Sequence, residues 1–105
     1  MTKVVWASVA ANDFQDIVTF LSDEVPQAAV TFVDRIDDAV KKLQSHPQMG
    51  RVVPELQRQN ITRYREVVVS PWRLFYRYEK ETIYIISLID GRRDVEEILL
   101  RRVLR

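Results

Sequence analysis

The hydrophobic period of this chain changes once, and the change divides it into a helical half and a strand half. Between Ala10 and Leu43 apolar residues recur every three or four positions, whereas from Tyr64 to Ile89 they follow short β-prone runs. In the first half Ala10, Phe14, Ile17, Val18 and Leu21 line one helical face, with Asn12, Asp13, Gln15, Asp16 and Thr19 opposite. Pro26 is tolerated in a first helical turn and opens a second helix. Its apolar stripe is Ala29, Phe32, Ile36, Ala39, Val40 and Leu43, and its wet face sets Asp37/Lys41 and Asp38/Lys42 one turn apart. So short a link requires an antiparallel hairpin.

Val4, Val5 and Trp6 predict a short strand ahead of that hairpin. Tyr64 to Val69, Trp72 to Tyr78 and Thr82 to Ile89, divided by Ser70-Pro71 and Glu79-Lys80-Glu81, predict an antiparallel meander. The run Ile83 to Ile89 is apolar on both sides apart from Tyr84 and Ser87, the pattern of a strand covered on both faces at a central position. Asp94 caps a last short helix with a stripe of Val95, Ile98, Leu99, Val103 and Leu104. The segment Ser45 to Asn60 has no clear period and reads as an ordered loop. At 105 residues the chain has room for a single α+β domain, 1–105, around one core.

The residue inventory narrows the chemistry. With no cysteine and one histidine, disulfides, thiol nucleophiles, zinc clusters and iron–sulfur sites are excluded, and no metal or cofactor is expected. His46 lacks an adjacent orienting group, Asp34, Asp37 and Asp38 read as a solvated helix face, and there is no Gly-rich phosphate loop. The apolar run Val4 to Ala11 is broken by Ser8 and too short for a secretory signal. No run approaches the ~20 apolar residues of a membrane span, so a cytoplasmic location without membrane contact is expected.

Charge is unevenly distributed. Residues 1–50 carry four bases against seven acids, while residues 51–105 carry twelve bases against eight acids, eleven of the twelve being Arg. Arg58, Arg63, Arg65, Arg73 and Arg77 alternate with Tyr64, Trp72, Phe75, Tyr76 and Tyr78. Strand alternation directs Arg73, Phe75 and Arg77 to one side and Trp72, Leu74, Tyr76 and Tyr78 to the other. Such a face is either a platform for nucleic acid or an acidic peptide, or a solvated surface paired with the acids of the first half. Arg101, Arg102 and Arg105 lie where a helix macrodipole favours cations, but Arg92 and Arg93 precede the helix, where it does not. That placement marks Arg92 and Arg93 as binding candidates.

The residue order carries more information than the composition. The run Ala28, Phe32, Ile36, Leu43 and Pro47, then Gly50-Arg51, Val53-Pro54-Glu55-Leu56, Tyr64-Arg65-Glu66, Trp72-Arg73-Leu74-Phe75-Tyr76 and Gly91-Arg92-Arg93-Asp94, resembles the RelE/ParE toxin superfamily of bacterial type II toxin–antitoxin modules over nearly the whole chain. The resemblance implies an N-terminal strand, an antiparallel helical hairpin packed on a twisted antiparallel sheet and a short C-terminal helix. It also implies a cognate antitoxin, usually encoded beside the toxin, in a hetero-oligomeric complex that serves growth inhibition and plasmid stabilisation.

Two activities occur in that superfamily: RelE-like members cleave mRNA on the ribosome, and ParE-like members poison DNA gyrase. Arg73 matches the strand arginine that the nucleases use at the phosphate, Arg92 or Arg93 falls near their second arginine, and Glu66 could act as a base. The nucleases commonly place a Tyr or His in the last segment, and Asp94 to Arg105 contains neither. The Gly91 to Asp94 turn and the Val53 to Leu56 loop are more similar to the ParE branch. The resemblance therefore implies a gyrase inhibitor without catalytic chemistry; the alternatives are a ribosome-dependent endoribonuclease and a degenerate member that only binds its antitoxin. Arg92, Arg93, Arg101, Arg102 and Arg105 are the expected target contacts, and Arg65, Arg73, Arg77 and Phe75 the expected antitoxin contacts.

Overall fold

A computed structural model describes residues 2–104 of the chain. Strand β1 (Lys3–Trp6) leads into helices α1 (Ser8–Glu24) and α2 (Pro26–Ser45), then β2 (Arg51–Val52), α3 (Pro54–Gln57), β3 (Tyr64–Val69), β4 (Trp72–Glu79), β5 (Thr82–Asp90) and α4 (Val95–Val103). One residue, Val25, separates α1 from α2. Its extended backbone (φ −142°, ψ 96°) makes it the C-cap of one helix and the N-cap of the next, with Pro26 opening α2.

The strands form one sheet in the order β1-β5-β4-β3-β2. The predicted meander is present as β3, β4 and β5, and β1 joins it parallel to β5, pairing Val4 with Ile83 and Trp6 with Ile85. β5 is thus interior, as its apolar run requires. Pairing of β4 with β5 shifts between Phe75 and Tyr76, where Phe75 faces Ser87 and Tyr76 faces Ile85. This irregularity lets Ile83, Ile85 and Leu88 reach the hairpin side while Ile86 and Ile89 pack on the other.

The expectation of one core needs correction, because the sheet is covered on both faces. On one face Ala10, Phe32, Ile36 and Leu43 of the hairpin pack on Leu74, Tyr76, Ile83 and Ile85. A row of aromatic contacts runs through this layer, Trp6 to Phe14 to Phe32 to Trp72, with ring centroids 5.4–5.6 Å apart. On the other face Val53, Leu56, Tyr64, Phe75, Ile89, Val95 and Leu99 form a second cluster under α3 and α4. Each fully buried large side chain here is worth roughly 1.5–3 kcal/mol, so both layers contribute to stability.

The predicted loop Ser45 to Asn60 contains β2 and α3. Pro54 occupies the first helical position and Glu55 the first turn, but a four-residue helix with only Leu56 buried is too short to show a period. Within the preceding turn, the Tyr76 hydroxyl donates to the Pro47 carbonyl (2.8 Å) and accepts from the Gly50 N–H (3.0 Å). A Cβ at Gly50 would lie 2.6 Å from the Glu66 carbonyl oxygen, which explains glycine there.

Candidate functional site

Arg73, the cation that would stabilise a phosphate in a nuclease, is closed off. Strand β4 directs it under α3, where Pro54 and the first turn of that helix hold Glu55 over the sheet. Its Nη1 and Nη2 donate to the two Glu55 carboxylate oxygens (2.7 and 2.8 Å), while Nε and Nη2 donate to Glu66, the latter at 2.7 Å. Arg51 Nε adds a third donor to Glu66 at 2.9 Å. The side chain of Glu66 is 1% exposed and that of Arg73 is 12% exposed. Hydrogen bonds donated to Glu55 and then to Glu66 raise the Arg73 pKa above its ordinary value, and hydrogen bonding by Arg73 lowers that of Glu55. Four of the five guanidinium N–H groups are engaged, leaving no fork for a phosphate.

Two of the expected antitoxin contacts are therefore corrected. Phe75 is fully buried in the second cluster, and Arg73 is clamped by carboxylates, so neither is presented to a partner. Arg65 is partly exposed and donates to the Gly50 carbonyl at 2.7 Å. Arg77 pairs with Glu79 at 2.9 Å and lies 4.1 Å from the centroid of the Tyr84 ring. At Arg73 and Phe75 the basic sheet face is thus a covered layer rather than an open platform, while Arg65 and Arg77 stay partly exposed.

The arginines of the C-terminal region divide into three situations. Arg92 forks onto Asp90, its Nε to Oδ1 at 2.9 Å and Nη2 to Oδ2 at 2.6 Å, and stays 77% exposed. This pairing lowers the Asp90 pKa and raises that of Arg92. Arg93 is exposed and makes no ion pair among the described residues. Asp94 accepts from the Glu97 N–H (3.1 Å), the expected cap, and Arg101 forms an exposed i,i+4 pair with Glu97.

Arg102 corrects the expectation of a projecting cation. It donates to both Asp13 oxygens (2.7 and 3.1 Å) and to the Ser87 hydroxyl (2.9 Å), tying α4 to α1 and β5. Asp13 also accepts from the Leu88 N–H at 3.0 Å, where β1 no longer flanks β5. Arg105 lies outside the described residues. His46 is exposed at the C-cap of α2.

Sequence reasoning missed Glu55, Asp13 and Phe20. Pro54 followed by Glu55 is a helix-start signal that pointed to the first; Asp13 reads as a wet-face residue, and nothing in the pattern predicts its pairing.

Two open grooves flank the hairpin. One, of about 530 Å³, is lined by Trp6, Phe14, Val33 and Val40 with Asp34 and Asp37 at its rim. It adjoins β1, where the Lys3 amide bonds to the Glu81 carbonyl and the Ala7 amide, just past the strand, to that of Ile85, so Val4 and Trp6 direct their N–H and C=O groups to the open side of the sheet. The other, of about 570 Å³, lies between Phe20, Val25, Phe32 and Trp72 with Arg35 and Arg92. Among the described residues there is no group of His, Cys, Asp and Glu placed to hold a metal ion, and no helix long and apolar enough to cross a membrane.

The fold has a counterpart of known structure. A chain from a structure titled "Chromosomal ParDE TA system from P. aeruginosa" superposes with a TM-score of 0.69 at 22% identity, covering 86% of this chain and 96% of that one. No curated protein sequence matches. The profile described as "ParE toxin of type II toxin-antitoxin system, parDE" matches residues 4–95, which spans every element from β1 to the start of α4. The chain belongs to the ParE toxin family of type II toxin–antitoxin systems.

Proposed function

We propose that this ParE-family chain is a toxin that inhibits DNA gyrase by direct binding, has no catalytic chemistry of its own, and is neutralised in the cytoplasm by a cognate antitoxin. The observation that carries the reading is the Arg73 clamp. A ribosome-dependent nuclease needs a base, an acid and a free cation at the scissile phosphate. Here the best-matched cation is engaged by Glu55 and Glu66, and the same contacts hold Glu66, the candidate base, against two guanidinium groups. Asp94 to Arg105 offers neither Tyr nor His as an acid. Binding, in contrast, requires only surfaces, and two grooves are open.

The antitoxin fits the groove beside β1, where outward backbone groups and an apolar floor accept an extended segment. Partly exposed Arg65 and Arg77 remain for its acids, giving a hetero-oligomeric complex. Inducing the protein in bacteria separates the activities. DNA breaks with an SOS response, suppressed by co-expressing the adjacent reading frame, are expected. Codon-dependent mRNA cutting as the first event would overturn the gyrase reading, and unimpaired growth would leave a degenerate antitoxin-binding member.

A further inference from the structure

The second groove differs from the first in charge as well as in place. Its floor is Leu21, Phe32 and Trp72, its walls are Phe20 and Val25, and its lining contains Arg35 and Arg92 but no acid. Phe20 is 61% exposed and is the one exposed Phe, Tyr or Trp among the described residues; Val25 is 56% exposed. Leaving these side chains in water forgoes burial without any visible gain to the fold. Aromatic and arginine side chains around a concave apolar floor are the composition of a protein-binding centre.

The arginines retain donors for a partner. Arg35 Nη1 gives one hydrogen bond, to the Ser70 carbonyl at 2.8 Å, and has no ion pair among the described residues. A neighbouring recess shares Phe20 and Trp72 and brings in Arg93 with Asp13, Asp16 and Asp90. Two of those three acids are already engaged, Asp13 by Arg102 and Asp90 by Arg92. The lining of the groove near β1 contains Asp34 and Asp37 instead and no base.

We propose that the Phe20–Trp72 groove is where the toxin receives its protein target, through an acidic segment that seats an aliphatic or aromatic side chain beside Phe20 and presents carboxylates to Arg35 and Arg92. This rests on the gyrase reading, and it places the target surface at the hairpin end of the molecule instead of along α4. Complementary charge there speeds encounter and excludes basic partners, while the apolar anchor supplies most of the affinity.

The test compares Phe20→Ser, Arg35→Glu and, as a control on the outer face of α2, Val30→Ser, using the full chain and purified DNA gyrase holoenzyme. Thermal melting is measured alongside. Phe20→Ser and Arg35→Glu are expected to weaken gyrase inhibition tenfold or more with unchanged melting, Val30→Ser to leave it unchanged, and added salt to weaken the wild-type protein. If wild-type protein leaves gyrase active, the gyrase reading falls and this proposal with it. If wild-type protein inhibits and the groove variants inhibit equally well, only the placement is overturned. The placement is also overturned if those variants keep inhibition but lose capture by the adjacent antitoxin, or lose only a self-association detected by sedimentation; the groove then belongs to the antitoxin or to a second copy.

Discussion

Arg102 and Asp13, 89 positions apart in the chain, form a two-pronged ion pair at 2.7 and 3.1 Å that fastens the last helix to the first. Their side chains are 30% and 14% exposed, so the pair is shielded but not dry. Arg102→Ala would leave Asp13 with the Leu88 amide alone. A loss of about 1.5–3 kcal/mol is expected, the range for hydrogen bonds to charged groups, and chemical denaturation would show it as a lower midpoint. An unchanged midpoint would mean that the pair adds nothing to the packing that already holds α4.

Arg73→Ala should cost more, about 3 kcal/mol or above, because it leaves the buried Glu66 with Arg51 alone and Glu55 unpaired. The same cluster sets an acid limb. Glu55 has its pKa lowered below the ordinary 4.5 by hydrogen bonding from Arg73, so its contribution is present above that value and is lost as pH falls through the folded-state pKa. Glu55→Gln should therefore flatten the decline of stability below pH 4.5. A decline identical in wild type and variant would show that Glu55 does not couple to folding.

The β4–β5 turn is strained. Lys80 and Glu81 both adopt left-handed backbones, with φ of 49° and 60°. Lys80→Asn with Glu81→Gly matches the residue preference of such a turn and should stabilise by about 1 kcal/mol, a rise of roughly 4–8 °C in Tm for a domain of this size. Growth inhibition should not change.

Arg92 and Arg93 offer a functional contrast to Arg102. Replacing both by Ala removes an exposed pair with Asp90 and a cation without an ion pair among the described residues, so folding should be nearly unaffected. Growth inhibition should weaken while antitoxin affinity stays within about tenfold, or roughly 1.4 kcal/mol. Full toxicity in the double variant would remove Arg92 and Arg93 from the target surface.

The contrast between these arginines shows what the sequence makes legible. Helices α1 and α2, the meander and the Asp94 cap follow from local period and capping chemistry, and the order of motifs carries the resemblance to the superfamily. The short elements β2 and α3 escaped because two and four residues carry no period. The fates of Arg73 and Arg102 escaped for a different reason: each is decided by acids 7 to 89 positions away, Glu66, Glu55 and Asp13, which share no local pattern with them. Sequence counted the cations correctly but could not separate those enclosed by the fold from those it leaves exposed.

Gyrase inhibition without mRNA cleavage is tested most directly by incubating the purified chain with DNA gyrase in one reaction and with ribosomes programmed with mRNA in another. Gyrase supercoiling is expected to be inhibited at toxin concentrations comparable to the enzyme while the mRNA remains intact. Cleavage of the ribosome-bound mRNA with gyrase fully active would contradict it, because Arg73 would then have to leave Glu55 and Glu66 to reach a phosphate.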